Sequence, residues 1–150
     1  MLVNFDFKEL LSILADKGVK YLVIGGYAVI RYGEPRYTKD LDLWVFADPE
    51  NAQAIFSALK AFGAPLTNLT PDDFSEEGYF YQMGVPPVRV DILMSVPGLS
   101  FDDAWERREN VDFDGVIMPF ISRQDLIISK RASGRPQDIL DADALEIPQD

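Results

Sequence analysis

Residues 21–45 read YLVIGGYAVIRYGEPRYTKDLDLWV. Tyr21–Ile24 is a short β-rich run that stops at Gly25-Gly26, and Tyr27–Tyr32 then reads as a short helix ended by Gly33. A loop from Gly33 to Thr38, containing Pro35, leads to a second strand over Leu41–Phe46. The order is strand, Gly-Gly turn, helix, loop, strand. Asp40 and Asp42 alternate with Leu41, Leu43 and Val45, so the two carboxylates share a face about 7 Å apart at the Cα level. Carboxylates that close repel unless a cation sits between them. A simpler account of this strand alone is an edge strand with solvated acids at its start.

Outward from this segment, Asp6 and Glu9 have the spacing of a capping box before Leu10, Leu11 and Leu14, and Gly18 supplies a stop. Asp48-Pro49 opens a helix whose apolar face is Ala52, Ile55, Phe56 and Leu59, ending at Gly63. Ala64 to Glu77 reads as acidic turns. Tyr79–Met83 and Pro87–Val96 are expected to pair as strands around Gly84, and Ser100 with Asp103 caps a helix through Arg108. One more strand is expected over Val111–Phe120. Ser122 with Asp125 starts a helix through Arg131, Ser133-Gly134 breaks it, and Pro136 opens a last one. The pattern predicts an α/β (α+β) fold, a mixed sheet with helices packed around it, in a single domain over 1–150.

The strand around Asp91 repeats the oddity of KDLDLWV. Val88, Val90, Ile92 and Met94 share one face, while Arg89, Asp91 and Leu93 share the other, which leaves Asp91 charged in an otherwise apolar run. An ion pair with a neighbouring arginine is one role for such an acid. Three carboxylates on two strands of one sheet would instead form an oxygen cage for a divalent cation. Gly25-Gly26 leaves backbone N–H groups free to meet a phosphate at a helix N-terminus, although a tight turn by itself also explains a glycine pair.

The composition narrows the chemistry. There are no cysteines and no histidines, which removes disulfides, zinc fingers, Cys nucleophiles, imidazole bases and Ser-His-Asp triads. Carboxylates, Lys, Arg, Tyr, Ser and Thr remain, and oxygen ligands favour Mg²⁺ or Mn²⁺. A net charge of −11 argues against general DNA binding, since sequence-independent affinity comes from Lys and Arg. MLVNFDFKEL has no basic n-region, and the longest apolar run is ten residues against the roughly 18 or more a membrane span needs, so a cytoplasmic location is expected.

VIGGYAVIRYGEPRYTKDLDLWV resembles the signature of the DNA polymerase β-like nucleotidyltransferase superfamily: a hydrophobic strand, Gly-Gly or Gly-Ser, a spacer, then Asp-x-Asp, with a third acid on a later strand. It is most similar to small bacterial members, the AbiEii-like toxins and minimal nucleotidyltransferases, and Arg36-Tyr37-Thr38 before Asp40 echoes an Arg-x-Thr-x-Asp-x-Asp form among them. The resemblance implies that Gly25 and Gly26 bind phosphate, with Thr38 also in reach of it. It makes Asp40 and Asp42 metal ligands and Asp91 the third acid, which binds one metal and helps deprotonate an attacking hydroxyl. In DLIISKRASGRPQDILDADAL it implies that Lys130 and Arg135 meet the triphosphate and that Asp138 holds one of those cations in place. An ordinary solvated helix end explains Lys130, Arg131 and Arg135 equally.

The implied activity is Mg²⁺-dependent transfer of a nucleoside monophosphate from an NTP to an acceptor hydroxyl on a small molecule, a protein or a tRNA end. A toxin–antitoxin or phage-defence setting comes with the same resemblance. The alternative is a binding partner for a cognate toxin or antitoxin protein, with a vestigial or regulatory nucleotide site. A third reading is an acidic α/β protein whose carboxylates only pair with nearby Arg and Lys. Tyr27, Tyr79 and Tyr81 are candidates for stacking on a base, with core packing the simpler role for each.

Overall fold

Leu22, Leu41 and Leu43 are fully buried, and the strands that carry them form the middle of the sheet. The computed structural model describes residues 5–33, 40–84 and 89–147, with the side chains of residues 5 and 6 excepted. In chain order the elements are α1 (Phe5–Asp16), β1 (Tyr21–Ile24), α2 (Gly25–Tyr32), β2 (Asp40–Val45), α3 (Pro49–Phe62) and a 3-10 turn (Pro71–Ser75). They continue with β3 (Phe80–Met83), β4 (Arg89–Leu93), α4 (Phe101–Glu106), β5 (Glu109–Phe113), β6 (Val116–Phe120), α5 (Arg123–Ser133) and α6 (Pro136–Glu146). The described strands make one mixed sheet in the order β3-β4-β2-β1-β6-β5. β1 runs antiparallel to β2, while β2 pairs in parallel with β4 and β1 with β6. This is the mixed sheet with surrounding helices that the sequence predicts.

Alternation decides which face each residue takes. Leu41, Leu43, Val90 and Ile92 are buried in one core with Leu10, Leu11 and Leu14 of α1 and Ala52, Ile55 and Leu59 of α3. Asp40, Asp42, Arg89, Asp91 and Leu93 are only partly buried. Asn51 ties the two central strands to α3: its amide donates to the carbonyls of Lys20 and Phe46, and its oxygen accepts from the Lys20 N–H. Asp48 caps α3 by accepting from the Asn51 N–H, with Pro49 in the first turn as the sequence implies.

Several boundaries differ from the sequence reading. The single strand expected over 111–120 is the hairpin of β5 and β6, because Asp114-Gly115 is a turn dipeptide and Asp114 takes φ 51°. Gly25 and Gly26 form the first turn of α2 instead of preceding it. β2 begins at Asp40, and α1 begins at Phe5, which puts Asp6 inside the helix. The acidic stretch after Gly63 contains the 3-10 turn, held by a capping box between Thr70 and Asp73. The loop residues through Thr38, and Pro87 with Val88, lie outside the described residues. Among the described residues, no helix is long and apolar enough to cross a membrane.

Candidate active site

Register brings the acids together. Asp42 of β2 lies directly opposite Asp91 of β4, and Asp42 is also the register partner of Ile24, the last residue before the Gly-Gly pair. Adjacent strands are about 4.8 Å apart, so side chains at paired positions of one face touch. The effect on Asp42 is large: burial, then the charge and hydrogen bond of Asp91, then the charge of Asp40, push its carboxyl up to about 7, with Lys130 pulling it back.

Gly25 is packed against Asp42. A Cβ on Gly25 would stand 2.0 Å from Asp42 Oδ2, and its φ of 68° is one that side chains rarely adopt. Only glycine lets the start of α2 approach the carboxylate so closely. The cap position of α2 makes no side-chain hydrogen bond, and its first turn contains no acid.

The opposite wall comes from α5 and α6. Ser122 caps α5 by accepting from the Asp125 N–H, and the buried Asp125 carboxylate accepts from Arg107 Nε at 2.9 Å and Nη2 at 3.0 Å. That fixes the helix base. Arg123 donates to the Leu145 and Ile147 carbonyls, and Arg131 pairs with Asp143 and Glu146, so α5 and α6 are laced together along their length. Inside this hairpin Lys130 Nζ lies 3.3 Å from Asp138 Oδ1 and 3.1 Å from Asp141 Oδ2. Asp138 also accepts from Ser133 Oγ at 2.5 Å and Arg135 Nε at 2.8 Å, while Gln137 donates to Asp141. Burial raises the Asp138 carboxyl, but the Ser133 and Arg135 hydrogen bonds and the Lys130 charge outweigh it and hold it below the ordinary carboxylate range.

Between the walls lies a cleft of about 420 Å³. Gly25, Gly26, Asp42, Asp91, Lys130, Arg135 and Asp138 all line it, which joins both halves of the candidate set. Asp40 lies on the same strand face and acts on Asp42 through its charge, but it is not part of the cleft lining. Among the described residues, no group of three acids stands close enough to hold a metal ion, so two of the three expected ligands meet and the third stands back. Asp91 has a cation already: Arg89 donates to it from Nε at 3.0 Å and from Nη2 at 3.3 Å. Thr38 lies outside the described residues.

The donor set fits a hard divalent cation, since it offers carboxylate oxygens only and a pair whose mutual repulsion a cation relieves. Asp42 and Asp91 would hold it. Sequence reasoning missed Phe80, Gln82, Ser129 and Ser133, which also line the cleft. Ser133 had a signal, its position three residues after Lys130; Phe80 and Gln82 had none beyond strand alternation.

A strand, a Gly-Gly helix start, and an acid facing a second acid on a parallel neighbour, opposite a lysine and an arginine, define a nucleotidyltransferase-type protein. The profile of the family described as "Nucleotidyltransferase of unknown function (DUF6036)" matches residues 3–149, and the chain belongs to that family. Solved structures share the fold. The lincosamide antibiotic adenylyltransferase LnuA, in its lincomycin-bound crystal structure, superposes with a TM-score of 0.61 at 14% identity, covering 97% of this chain and 97% of that one. The antibiotic-resistance factor ANT(2″)-Ia, in its complex with adenylyl-2″-tobramycin, gives a TM-score of 0.58 at 15% identity over 93% of this chain and 84% of that chain. No curated protein matches the sequence.

Proposed function

We propose that the protein transfers a nucleoside monophosphate from an NTP to an acceptor hydroxyl, with a divalent cation such as Mg²⁺ or Mn²⁺ at Asp42 and Asp91. The observation that carries this reading is the Asp42–Asp91 register pair, set against the Gly25-Gly26 helix start and opposite Lys130 in one cleft. In the reaction the acceptor oxygen bonds to the α-phosphorus, the bond from that phosphorus to the bridging oxygen breaks, and pyrophosphate leaves. A bound divalent cation supplies charge that acidifies the hydroxyl and stabilises the pyrophosphate. The carboxylates of Asp42 and Asp91 hold the reacting end and take up the acceptor's proton. Backbone N–H groups of Gly25 and Gly26 bind phosphate oxygens without a Cβ in the way. Lys130 and Arg135 neutralise charge on the leaving group, and Asp138 and Asp141 keep Lys130 extended toward it. Asp40 adds negative potential beside Asp42 and would be the third carboxylate available to such a cation.

Both structural relatives named above are described by the antibiotics they bind or adenylylate, so a small-molecule hydroxyl leads among acceptors, with protein and tRNA hydroxyls behind it. Incubation with α-labelled NTPs, Mg²⁺ and panels of the three acceptor classes tests the reading. Label moves to acceptor in the wild type and not in Asp42→Asn or Asp91→Asn; transfer that persists in both variants contradicts it.

One observation favours a second reading. Arg89 occupies Asp91 as a lost metal would, the state of a vestigial or regulatory site in a protein that works by binding a cognate toxin or antitoxin. Calorimetry with millimolar NTP and Mg²⁺ separates the two: no heat of binding favours the partner role.

A further inference from the structure

β3 is the edge of the described sheet, and the side chains it turns to the cleft are Phe80 and Gln82. Register puts Gln82 opposite Asp91 and Phe80 opposite Leu93, while Tyr81 and Met83 turn into the core. Phe80 is 64% exposed. An aromatic ring left that open forgoes its hydrophobic burial, and edge strands ordinarily place charged or short side chains there. Leu93, Val96 and Pro97 line the cleft with it. One end of the cleft is therefore charged and the other, around Phe80 and Leu93, is more apolar.

We infer that this apolar end, with Phe80 as its stacking platform and Gln82 beside it, holds the planar base of the nucleotide. The inference rests on the nucleotidyltransferase reading, which puts phosphate at the Asp42–Asp91 end. Phe80 stands one same-face strand step, about 7 Å, beyond Gln82 and its partner Asp91. A sugar spans that step, and the base follows the sugar. Aromatic stacking accepts any base because every base has a π-face, and the Gln82 amide both donates and accepts at the base edge. The three tyrosines considered on the sequence do not compete: Tyr27 is buried, Tyr81 is buried with its hydroxyl donating to the Pro65 carbonyl, and Tyr79 is not in the lining. Gly98 closes the neighbouring loop onto α5, since a Cβ there would stand 2.8 Å from the Ala132 Cβ at φ 80°.

The test is calorimetric binding of the four NTPs and of inorganic tripolyphosphate, each with Mg²⁺, to the wild-type chain and to Phe80→Ala and Phe80→Trp. Stacking of one base predicts that Phe80→Ala weakens NTP binding roughly 5- to 150-fold. Tripolyphosphate, which has no base, is held as before, and Phe80→Trp keeps NTP affinity. The inference is overturned if Phe80→Ala weakens both ligands equally or neither, or if its effect appears only in the KM of the acceptor. A wild type that binds NTP and tripolyphosphate with the same affinity also overturns it. If the wild type binds neither ligand, the nucleotidyltransferase reading falls with it, so the two failures are told apart before any variant is made.

Discussion

Two groups of acids sit on the strands and helices that wall the cleft, and their electrostatic states differ. On the helix wall, Asp138 and Asp141 are matched by Lys130, Arg135, Ser133 and Gln137, and Asp138 titrates low. On the sheet wall, Asp42 is buried against Asp91 and feels the charge of Asp40, with the Lys130 charge opposing them, and its carboxyl is pushed up to about 7. Burial raises both carboxyls and is the largest cause at Asp42; at Asp138 the bonded partners outweigh it, whereas at Asp42 the neighbouring acids add to it. The helix-wall acids are saturated by the protein and act by holding cations in place, whereas the sheet wall stores repulsion that an added cation would release. Arg89 relieves part of that repulsion at Asp91, from a partly exposed side chain that can swing away.

The largest break in this comparison is Asp42→Asn. It removes half of the facing carboxylate pair, and NMP transfer should fall by more than the roughly 10- to 100-fold typical of losing an outer-shell partner of a metal site. Steady-state label transfer measures it. Gly25→Ala comes next: its Cβ collides with Asp42 Oδ2, and a displacement of that order costs about 100-fold in turnover while the fold remains, as circular dichroism would verify. On the other wall, Lys130→Ala takes the shared ammonium from two buried carboxylates, and breaking such a pair costs about 3–5 kcal/mol, read as a fall in melting temperature.

The two walls should also respond to pH with opposite sign. Asp42 has a folded pKa raised from 3.8 to about 7, so it binds more protons when folded, and its contribution to stability is present at low pH and lost as pH rises toward and through 7. Metal-free Asp42→Asn should therefore melt above the wild type at pH 8, with the advantage gone near pH 4. Asp138 is lowered, so its contribution is present above the ordinary carboxylate range and lost as pH falls below it. Asp138→Asn should melt below the wild type at pH 8 and match it in strong acid. Identical pH dependence of the two differences would erase the contrast. The smallest effect is Arg89→Gln, which frees Asp91: Mn²⁺ binding should tighten by a modest factor, about threefold for a partly exposed pair.

Local signals account for what was legible beforehand. The β1–α2–β2 segment is written in adjacent residues: four β-formers, two glycines, then acids alternating with leucines. The caps at Asp48, Ser100 and Ser122 were readable for the same reason, because each bonds a backbone N–H three residues on. Pairing across the chain was not. Nothing near Asp91 specifies that it will face Asp42 and not Asp40, since parallel register depends on how β2 and β4 are brought together over 40 intervening residues. The Arg107–Asp125 pair, which seats α5, was hidden likewise. The β5–β6 hairpin was missed although Asp114-Gly115 was in plain view, because the alternation on both sides of it reads as one strand. Phe80 was placed in a strand, but strand alternation alone does not say which edge residue opens onto a cleft.

The proposed chemistry needs a divalent cation on the sheet wall and none on the helix wall. Its most direct test is Mn²⁺ titration by calorimetry or electron paramagnetic resonance, in the presence of NTP, with Asp42→Asn, Asp91→Asn and Asp141→Asn beside the wild type. Mn²⁺ should bind the wild type and Asp141→Asn and should fail to bind the two sheet-wall variants. Binding that survives in Asp42→Asn and Asp91→Asn, or that is lost only with Asp141, would contradict it.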